Sequence, residues 1–357
     1  MENNKRIVMT GGGTAGHVTP NLALIPFLKA EGWEVMYIGS ENGMEKELIE
    51  AMGVAYFGIS TGKLRRYASK ENFTDIFRVL KGIWQASVLM WKIRPNLVFS
   101  KGGFVAVPVV LGAKTAGVPV IIHESDMTPG LANKIAMPFA KTICTTFPET
   151  LEYVPAKKAV HTGTPIRREL FEGVKSNGLA LCNFISNRPV LLMMGGSQGS
   201  VKLNRCLREA LPVLTDHFNI IHLCGKGNVE RTLEGRNDYM QFEYVSTELS
   251  NLLAAAELVV SRAGSNSISE LLALKKPNLL IPLSAKASRG DQILNAESVE
   301  KQGFSRVLQE EDLTTETLIQ EILTLYENRQ VYIDTMEKCR TKDGLQAVMQ
   351  QIRRVMY

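Results

Sequence analysis

A glycine-rich turn set between an apolar strand and a helix occurs twice in this chain, about half its length apart. The first copy is Arg6-Ile-Val-Met-Thr10 running into Gly11-Gly-Gly-Thr-Ala-Gly16-His17; the second is Val190-Leu-Leu-Met-Met194 running into Gly195-Gly-Ser-Gln-Gly199-Ser200. The first N–H groups of a helix have no partner within it, and glycines let a ligand approach the backbone, so each turn has the makings of an anion site. Two such units predict an α/β chain of two Rossmann-like domains, their parallel sheets facing each other across a cleft.

The remaining pattern agrees with that expectation. Apolar runs bounded by turn residues alternate with helical periodicity, which reads as strand–helix–strand crossover units. Strands are expected near 6–10, 35–38, 54–59, 97–99, 118–122, 142–145 and 159–161, then near 189–194, 219–223, 241–244, 258–261, 279–282 and 305–308. Thr162-Gly-Thr-Pro165 punctuates the chain between the two series. Domains are therefore expected over 1–163 and 164–340, with a helix over 341–357 packing back on the first.

Composition narrows the functional class. No apolar run approaches the roughly 20 residues that cross a bilayer, and the N-terminus has no secretory pattern. The five cysteines are scattered without a CxxC pair, as expected of reduced thiols in the cytoplasm. Between residues 63 and 94, eight basic residues face only Glu71 and Asp75, an excess of six in a chain whose whole net charge is +5. The rest is close to neutral, so general nucleic-acid binding is not expected.

Gly11, Gly13 and Gly16 satisfy the dinucleotide pattern GxGxxG, but a nicotinamide reading leaves the second glycine turn unexplained. A phosphate-related role accounts for both. His17, at the mouth of the first turn, has an imidazole that can take a proton from an attacking hydroxyl while nearby amides hold a leaving diphosphate. His123 and Glu124 stand next in line as bases. A third turn, Ser100-Lys-Gly-Gly-Phe104, and the polar run His123-Glu-Ser-Asp126 also follow strands, where ligands bind in such sheets. Lys101 reads equally as an anion contact or an ordinary surface lysine. In the second half, Ser261-Arg-Ala-Gly264-Ser-Asn-Ser-Ile-Ser-Glu270 is a strand end entering a well-capped helix. Glu270 there can accept two ribose hydroxyls, and Asp291 and Gln292 suit sugar hydroxyls.

These motifs, with Gly163-Thr-Pro-Ile-Arg167 and Asp291-Gln-Ile-Leu-Asn-Ala296, fall in an order that closely resembles the MurG family over nearly the whole chain. That family is the UDP-N-acetylglucosamine transferases that complete the lipid-linked peptidoglycan precursor. The resemblance implies a GT-B fold and an inverting transfer of GlcNAc from UDP-GlcNAc to the 4-hydroxyl of MurNAc in undecaprenyl-diphospho-MurNAc-pentapeptide. It implies His17 as general base, with Thr14, Ala15 and Gly16 near the donor sugar and diphosphate. His123, Glu124 and Asp126 would belong to the substrate site. Arg167 and Ser197 would meet the diphosphate, Gln198 would belong to the substrate site, and Val245 would meet the uracil through its backbone. Ser265, Asn266, Ser267, Ile268 and Ser269 would line the nucleotide pocket, Glu270 would hold the ribose, and Gln292 the GlcNAc hydroxyls. Asp126 departs from the Asn of better-known members, and an ionised Asp cannot donate a hydrogen bond.

No Asp-x-Asp occurs in the chain. No metal or other cofactor is therefore expected: helix N-termini, backbone amides and Arg167 would meet the leaving-group charge. Phe73, Ile76, Phe77, Leu80, Ile83, Trp84, Val88 and Trp91 recur at helical spacing among basic residues. They form either a buried stripe or a contact with the anionic inner leaflet, through Arg65, Arg66, Phe73, Phe77, Trp84 and Trp91. The expected location is peripheral, on the cytoplasmic side of the cell membrane, with other cell-wall synthesis proteins as partners. The competing readings are a related GT-B enzyme acting on diacylglycerol, a nicotinamide-dependent oxidoreductase and a non-enzymatic nucleotide-sugar sensor.

Overall fold

The computed structural model describes residues 5–62, 71–184, 186–196, 199–286, 288–339 and 343–356, with the backbone alone at 15 and 71–74. Two compact units divide the chain: Met1–Arg167 with Lys342–Tyr357, and Arg168–Thr341. Arg167 thus falls in the first unit, a few residues beyond the boundary expected at 163.

The first unit is built on seven strands: β1 (Lys5–Thr10), β2 (Trp33–Ser40), β3 (Ala55–Ile59), β4 (Leu97–Ser100), β5 (Val120–Glu124), β6 (Thr142–Thr145) and β7 (Ala159–His161). All pair in parallel, in the order β3-β2-β1-β4-β5-β6-β7. The sheet is covered on both faces, so its strands are nearly continuous in apolar residues rather than alternating. Ile7 and Met9 of β1 enter one core with Leu24 and Leu28 of the helix Thr19–Ala30. Val8 enters the opposite core with Val109 and Val110 of the helix Ala106–Thr115.

The last helix, Gly344–Met356, returns to this unit. Leu345, Val348, Met349 and Ile352 join the core of Ile7 and Met9. Its first residue must be small, because a Cβ on Gly344 would lie 2.3 Å from the Thr164 carbonyl oxygen. Arg353 pairs with Glu31 at the far end.

The second unit repeats the plan with six parallel strands: β8 (Val190–Met194), β9 (Asn219–Leu223), β10 (Tyr239–Phe242), β11 (Leu258–Ser261), β12 (Asn278–Leu280) and β13 (Arg306–Val307). Their order is β10-β9-β8-β11-β12-β13. In both sheets the strand order reverses beside the first strand, between β1 and β4 and between β8 and β11. At such a switch point the crossovers leave on opposite faces and a crevice opens beyond the strand ends. The glycine turns follow those strands.

The helix Glu71–Ile93 inverts the usual arrangement. Its buried stripe is Gly82, Ala86, Met90 and Ile93, while Ile76, Phe77, Leu80, Trp84, Val88 and Trp91 are exposed. Close approach explains the choice. A Cβ on Gly112 would sit 2.8 Å from the Ala86 carbonyl carbon, and one on Gly82 would sit 2.2 Å from the Ser60 carbonyl oxygen. Only small side chains fit at Gly82 and Ala86, so the large ones beside them face outward. Ile83 is half-buried, and Arg65, Arg66 and the Phe73 side chain lie outside the described residues. No helix among the described residues is long and apolar enough to cross a membrane.

Candidate active site

In the first unit the turn after β1 and the turn after β4 pack backbone against backbone. Gly13 (φ 86°) and Gly103 (φ 81°) both hold left-handed conformations. A Cβ on Gly103 would lie 2.3 Å from the Gly12 carbonyl oxygen, and one on Gly13 would lie 2.5 Å from the Phe104 ring. A short 3-10 turn, Ala15–His17, then leads into the helix Thr19–Ala30. His17 is half-buried, and its Nδ1 lies 2.9 Å from Thr14 Oγ1. When Nδ1–H donates to that hydroxyl oxygen, the ring lone pair sits on Nε2, the tautomer a general base requires. Thr14 is thus placed to orient the ring.

The ends of β4 and β5 carry a buried polar cluster. Lys101 is 1% exposed, so it is not a surface lysine. Its Nζ donates to His123 Nδ1 at 2.7 Å and to Ser125 Oγ. With Nδ1 accepting, the His123 proton is on Nε2 and donates to the Gly163 carbonyl at 2.9 Å. Burial, reinforced by the Lys101 charge, pushes His123 well below its ordinary value. Glu124 accepts four N–H groups: Ser125 and Asp126 backbone at Oε1 (2.8 and 3.1 Å), Gly130 backbone and Asn133 Nδ2 at Oε2 (3.1 and 2.7 Å). The expectation that these two side chains stand next as bases or touch substrate is corrected: both are buried and committed internally. What they do is fix the loop from Ser125 to Gly130, whose half-buried Asp126 stays partly exposed.

A further chain of buried polar groups escaped the sequence reading. Tyr37 donates to the Gly11 carbonyl at 2.6 Å and accepts from Asn21 Nδ2. Tyr56 stacks on Tyr37 and donates to the Ser40 carbonyl at 2.6 Å. Ser40 donates through N and Oγ to Glu45 Oε1, whose carboxylate lies directly against Gly12. The first turn is therefore braced from β2, β3 and the helix Glu45–Ala51. A cavity of about 660 Å³ opens beside it, between Gly13 and Phe104, residues 40–45, Asp75 and Arg78. Tyrosines in strands read from sequence as ordinary β-formers, so nothing in the local pattern marked this chain of contacts.

In the second unit the turn after β8 is pressed as closely. A Cβ on Gly199 (φ 74°) would lie 2.0 Å from the Cys224 carbonyl oxygen, and Ser200 caps the helix Val201–His217 by accepting from Leu203 N. Ser197 and Gln198 lie outside the described residues. Arg262 ties this turn to the one after β11: its Nη2 donates to Ser200 Oγ at 2.7 Å and to Glu310, and its Nη1 to the Ile281 carbonyl at 3.2 Å.

The helix Ser265–Ala273 starts there, with Ser265, Asn266 and Ser267 in its first turn, where backbone N–H groups have no intrahelical partner. The Ile268 side chain is in the core, so at the pocket it can offer only its backbone. Ser269 Oγ bonds back to the Ser265 carbonyl at 2.8 Å, so its hydroxyl proton is used within the helix. Glu270 is half-buried one turn on. Gln292, in the first turn of the helix Asp291–Lys301, accepts from Leu283 N at 3.1 Å, which leaves its amide as a donor. Val245 is half-buried just beyond β10. Each unit thus gathers its own set at the carboxyl ends of its strands; Arg167 and Ala15 belong to the first unit's chain, the Ala15 side chain lying outside the described residues.

The glycosyltransferase family 28 N-terminal domain matches residues 7–145, and the glycosyltransferase family 28 C-terminal domain matches residues 190–352. The chain belongs to glycosyltransferase family 28. Relatives within the family match end to end. The UDP-N-acetylglucosamine–N-acetylmuramyl-(pentapeptide) pyrophosphoryl-undecaprenol N-acetylglucosamine transferase of Lachnospira eligens is 58% identical over 349 residues, 98% of this chain and 99% of its own. The enzyme of the same name from Clostridium botulinum is 57% identical over 350 residues, with the same coverage. Among solved structures, the crystal structure of MurG from Acinetobacter baumannii superposes with a TM-score of 0.75 at 26% identity, covering 98% of this chain and 99% of that one. This family 28 chain accordingly has the GT-B fold, two Rossmann-like domains, and is a glycosyltransferase rather than an oxidoreductase.

Proposed function

We propose that this enzyme transfers GlcNAc from UDP-GlcNAc to the MurNAc 4-hydroxyl of undecaprenyl-diphospho-MurNAc-pentapeptide, the last cytoplasmic step in building the peptidoglycan unit. The observation that carries the reading is identity above one half along the full length of relatives so named. Chemistry at the two switch points supports it. His17, oriented by Thr14, removes the proton of the 4-hydroxyl as its oxygen attacks the anomeric carbon; the C1–O bond to UDP breaks on the opposite face, so configuration inverts. The diphosphate charge is met by Arg167, by the glycine turn after β8 with Ser197 and Gln198, and by the N-terminus of Ser265–Ala273.

Glu270 accepts the two ribose hydroxyls, the Val245 backbone meets the uracil, and the Gln292 amide donates to a GlcNAc hydroxyl. Gly16 and Ala15 line the sugar side through their backbone. In this reading no metal is required, and EDTA leaves turnover unchanged. Among the described residues no group of three His, Cys, Asp or Glu is placed to hold a metal ion.

The exposed apolar face of Glu71–Ile93, with the basic residues around it, supports docking on anionic lipids of the inner leaflet, where a polyprenyl-linked acceptor resides. In this reading the enzyme works peripherally at the cytoplasmic membrane face. There it would meet other cell-wall synthesis proteins and contribute to cell shape and division.

The test is UDP release from UDP-GlcNAc with and without a short-chain analogue of the lipid-linked acceptor, in wild type and His17→Ala. Acceptor-dependent release that falls by roughly 10²–10⁴-fold in the variant, with UDP-GlcNAc binding kept, is expected for a lost general base. Release unchanged in the variant removes His17 from that role; tight donor binding without release on this acceptor points to another, diacylglycerol first.

A further inference from the structure

The cavity beside the first turn lies beyond the carboxyl ends of four strands: Gly13 follows β1, Ser40 ends β2, Ile59 ends β3, and Phe104 stands in the turn after β4. That is the edge at which such sheets hold ligands. Its ionisable lining is Glu41, Glu45, Asp75 and Arg78, three carboxylates against one guanidinium. Glu41 is exposed at the rim. Asp75 is buried, and its Oδ1 accepts from Arg78 Nη1 at 3.3 Å.

Glu45 is fully buried, and its two oxygens are unequal. Oε1 takes the Ser40 backbone N–H at 3.0 Å and the Ser40 hydroxyl at 2.5 Å. Oε2 is enclosed and has no hydrogen-bond partner among the described residues. A buried carboxylate oxygen left without a donor is costly, so one in the wall of a cavity points to a ligand that brings its own donors. The charge excess chooses among such ligands, because a phosphate or carboxylate is repelled and a cation attracted. Among the described residues no three acidic, His or Cys side chains are grouped to hold a metal ion. Met44, Ile59 and Phe104 supply apolar wall. Carboxylates set in apolar wall suit an ammonium on an alkyl stem, a group with three donors and no acceptor.

Resting on the acceptor reading given above, we infer that this cavity receives the peptide arm of the acceptor and selects a primary ammonium carried on the side chain at the middle of that arm. The peptide leaves the saccharide beside the hydroxyl that reacts, and the cavity begins at Gly13, four residues before His17. An extended chain advances about 3.3–3.6 Å per residue, so the third of five residues stands roughly 10 Å from the saccharide. The volume, about 660 Å³, is that of a site enclosing a whole small ligand, so a short peptide segment fits. Glu41, Glu45 and Asp75 are then specificity-determining residues for the acceptor.

The test is kcat/KM for three short-chain acceptors that differ only at the central peptide residue: lysine, Nε-acetyl-lysine and norleucine. Acetylation removes the charge, and norleucine keeps the alkyl stem without it, so charge is separated from bulk. Wild type should prefer the lysine acceptor to both by roughly ten-fold or more, the scale of a hydrogen bond to a charged group. E41Q, at an exposed position, should cut that preference about two- to four-fold. E41Q/D75N leaves one carboxylate against Arg78 and should bring the three acceptors within roughly two-fold of one another. R78Q removes the opposing cation and should raise the preference. Donor affinity and Tm serve as controls for folding.

Side chains with a purely structural role would lower all three acceptors alike and leave their ratio where it was, which overturns the proposal. If E41Q/D75N does not fold, E41Q and R78Q decide, since they must move the ratio in opposite directions. Wild type that releases no UDP with any of the three overturns the function itself, whereas equal turnover of all three overturns only the assignment of the cavity.

Discussion

Glu310→Ala should cost the second domain more than any surface ion pair would. Arg262 and Glu310 are both nearly enclosed, with side chains 9% and 13% exposed. The guanidinium also reaches Ser200 Oγ and the Ile281 and Pro282 carbonyls, and the carboxylate accepts from Ser284 N at 3.0 Å. Deleting one member of a buried pair strands the other charge, at about 3–5 kcal/mol. The neutral partners that Arg262 keeps favour the lower end, about 3 kcal/mol. At ~2–4 °C per kcal/mol for a domain of this size, the second domain's Tm falls by ~6–12 °C.

Glu310→Gln keeps an acceptor for Arg262 but not the charge, and should fall between wild type and alanine. The pair also joins the cap of the turn after β8 to the turn after β11, so UDP affinity should weaken with stability; thermal melts and titration calorimetry measure the two. The pH dependence has a definite sign. Burial works to raise the Glu310 carboxyl, but Arg262 and Ser284 outweigh it and hold it below its ordinary value. Its contribution is complete above the unfolded value and is lost as pH falls through the lower folded one, so the gap between wild type and Glu310→Gln narrows in acid. A Tm for Glu310→Ala within ~1–2 °C of wild type at pH 7, the range of ordinary surface substitutions, would refute the reasoning.

Two further outcomes follow from the first domain. Trp84 and Trp91 are 67% and 62% exposed, and Trp84→Ala/Trp91→Ala removes apolar surface worth at least ~2 kcal/mol of burial. Binding to phosphatidylglycerol vesicles should drop ~30-fold or more with UDP-GlcNAc affinity unchanged, and equal vesicle binding would remove the helix from membrane contact. Gly103→Ala places a Cβ 2.3 Å from the Gly12 carbonyl at φ 81°. The left-handed backbone alone costs ~1–2 kcal/mol, and the displaced first turn should lower kcat while donor binding in the second domain holds; unaltered kcat would show that the contact does not position His17.

Much of the architecture was legible in the sequence. The strands expected near 142–145, 159–161, 219–223 and 258–261 coincide with β6, β7, β9 and β11, because buried parallel strands read as short apolar runs bounded by turns. Others ended early: β5 was expected to stop at Ile122 but continues through Glu124, since a polar pair at a strand end imitates a loop. That misreading made His123 and Glu124 look available to a ligand. The burial of the Ile268 side chain was hidden for a related reason, because a helix that offers its first N–H groups to a site still turns one face into the core.

What the sequence by itself determined is local: glycine where the backbone must take a left-handed conformation or come within contact of another chain segment, apolar residues where a strand is covered on both faces, Ser and Asn where a helix begins. What only the tertiary structure decided is which of several chemically possible environments each side chain enters. The periodicity of residues 73–91 announces an apolar stripe, but the narrow contact at Gly82, Ala86 and Gly112 turns that stripe outward. Lys101 follows a strand as any surface lysine might, until β5 and β6 close over it. Burial is fixed by neighbours distant in the chain, and charge, tautomer and reach follow from burial.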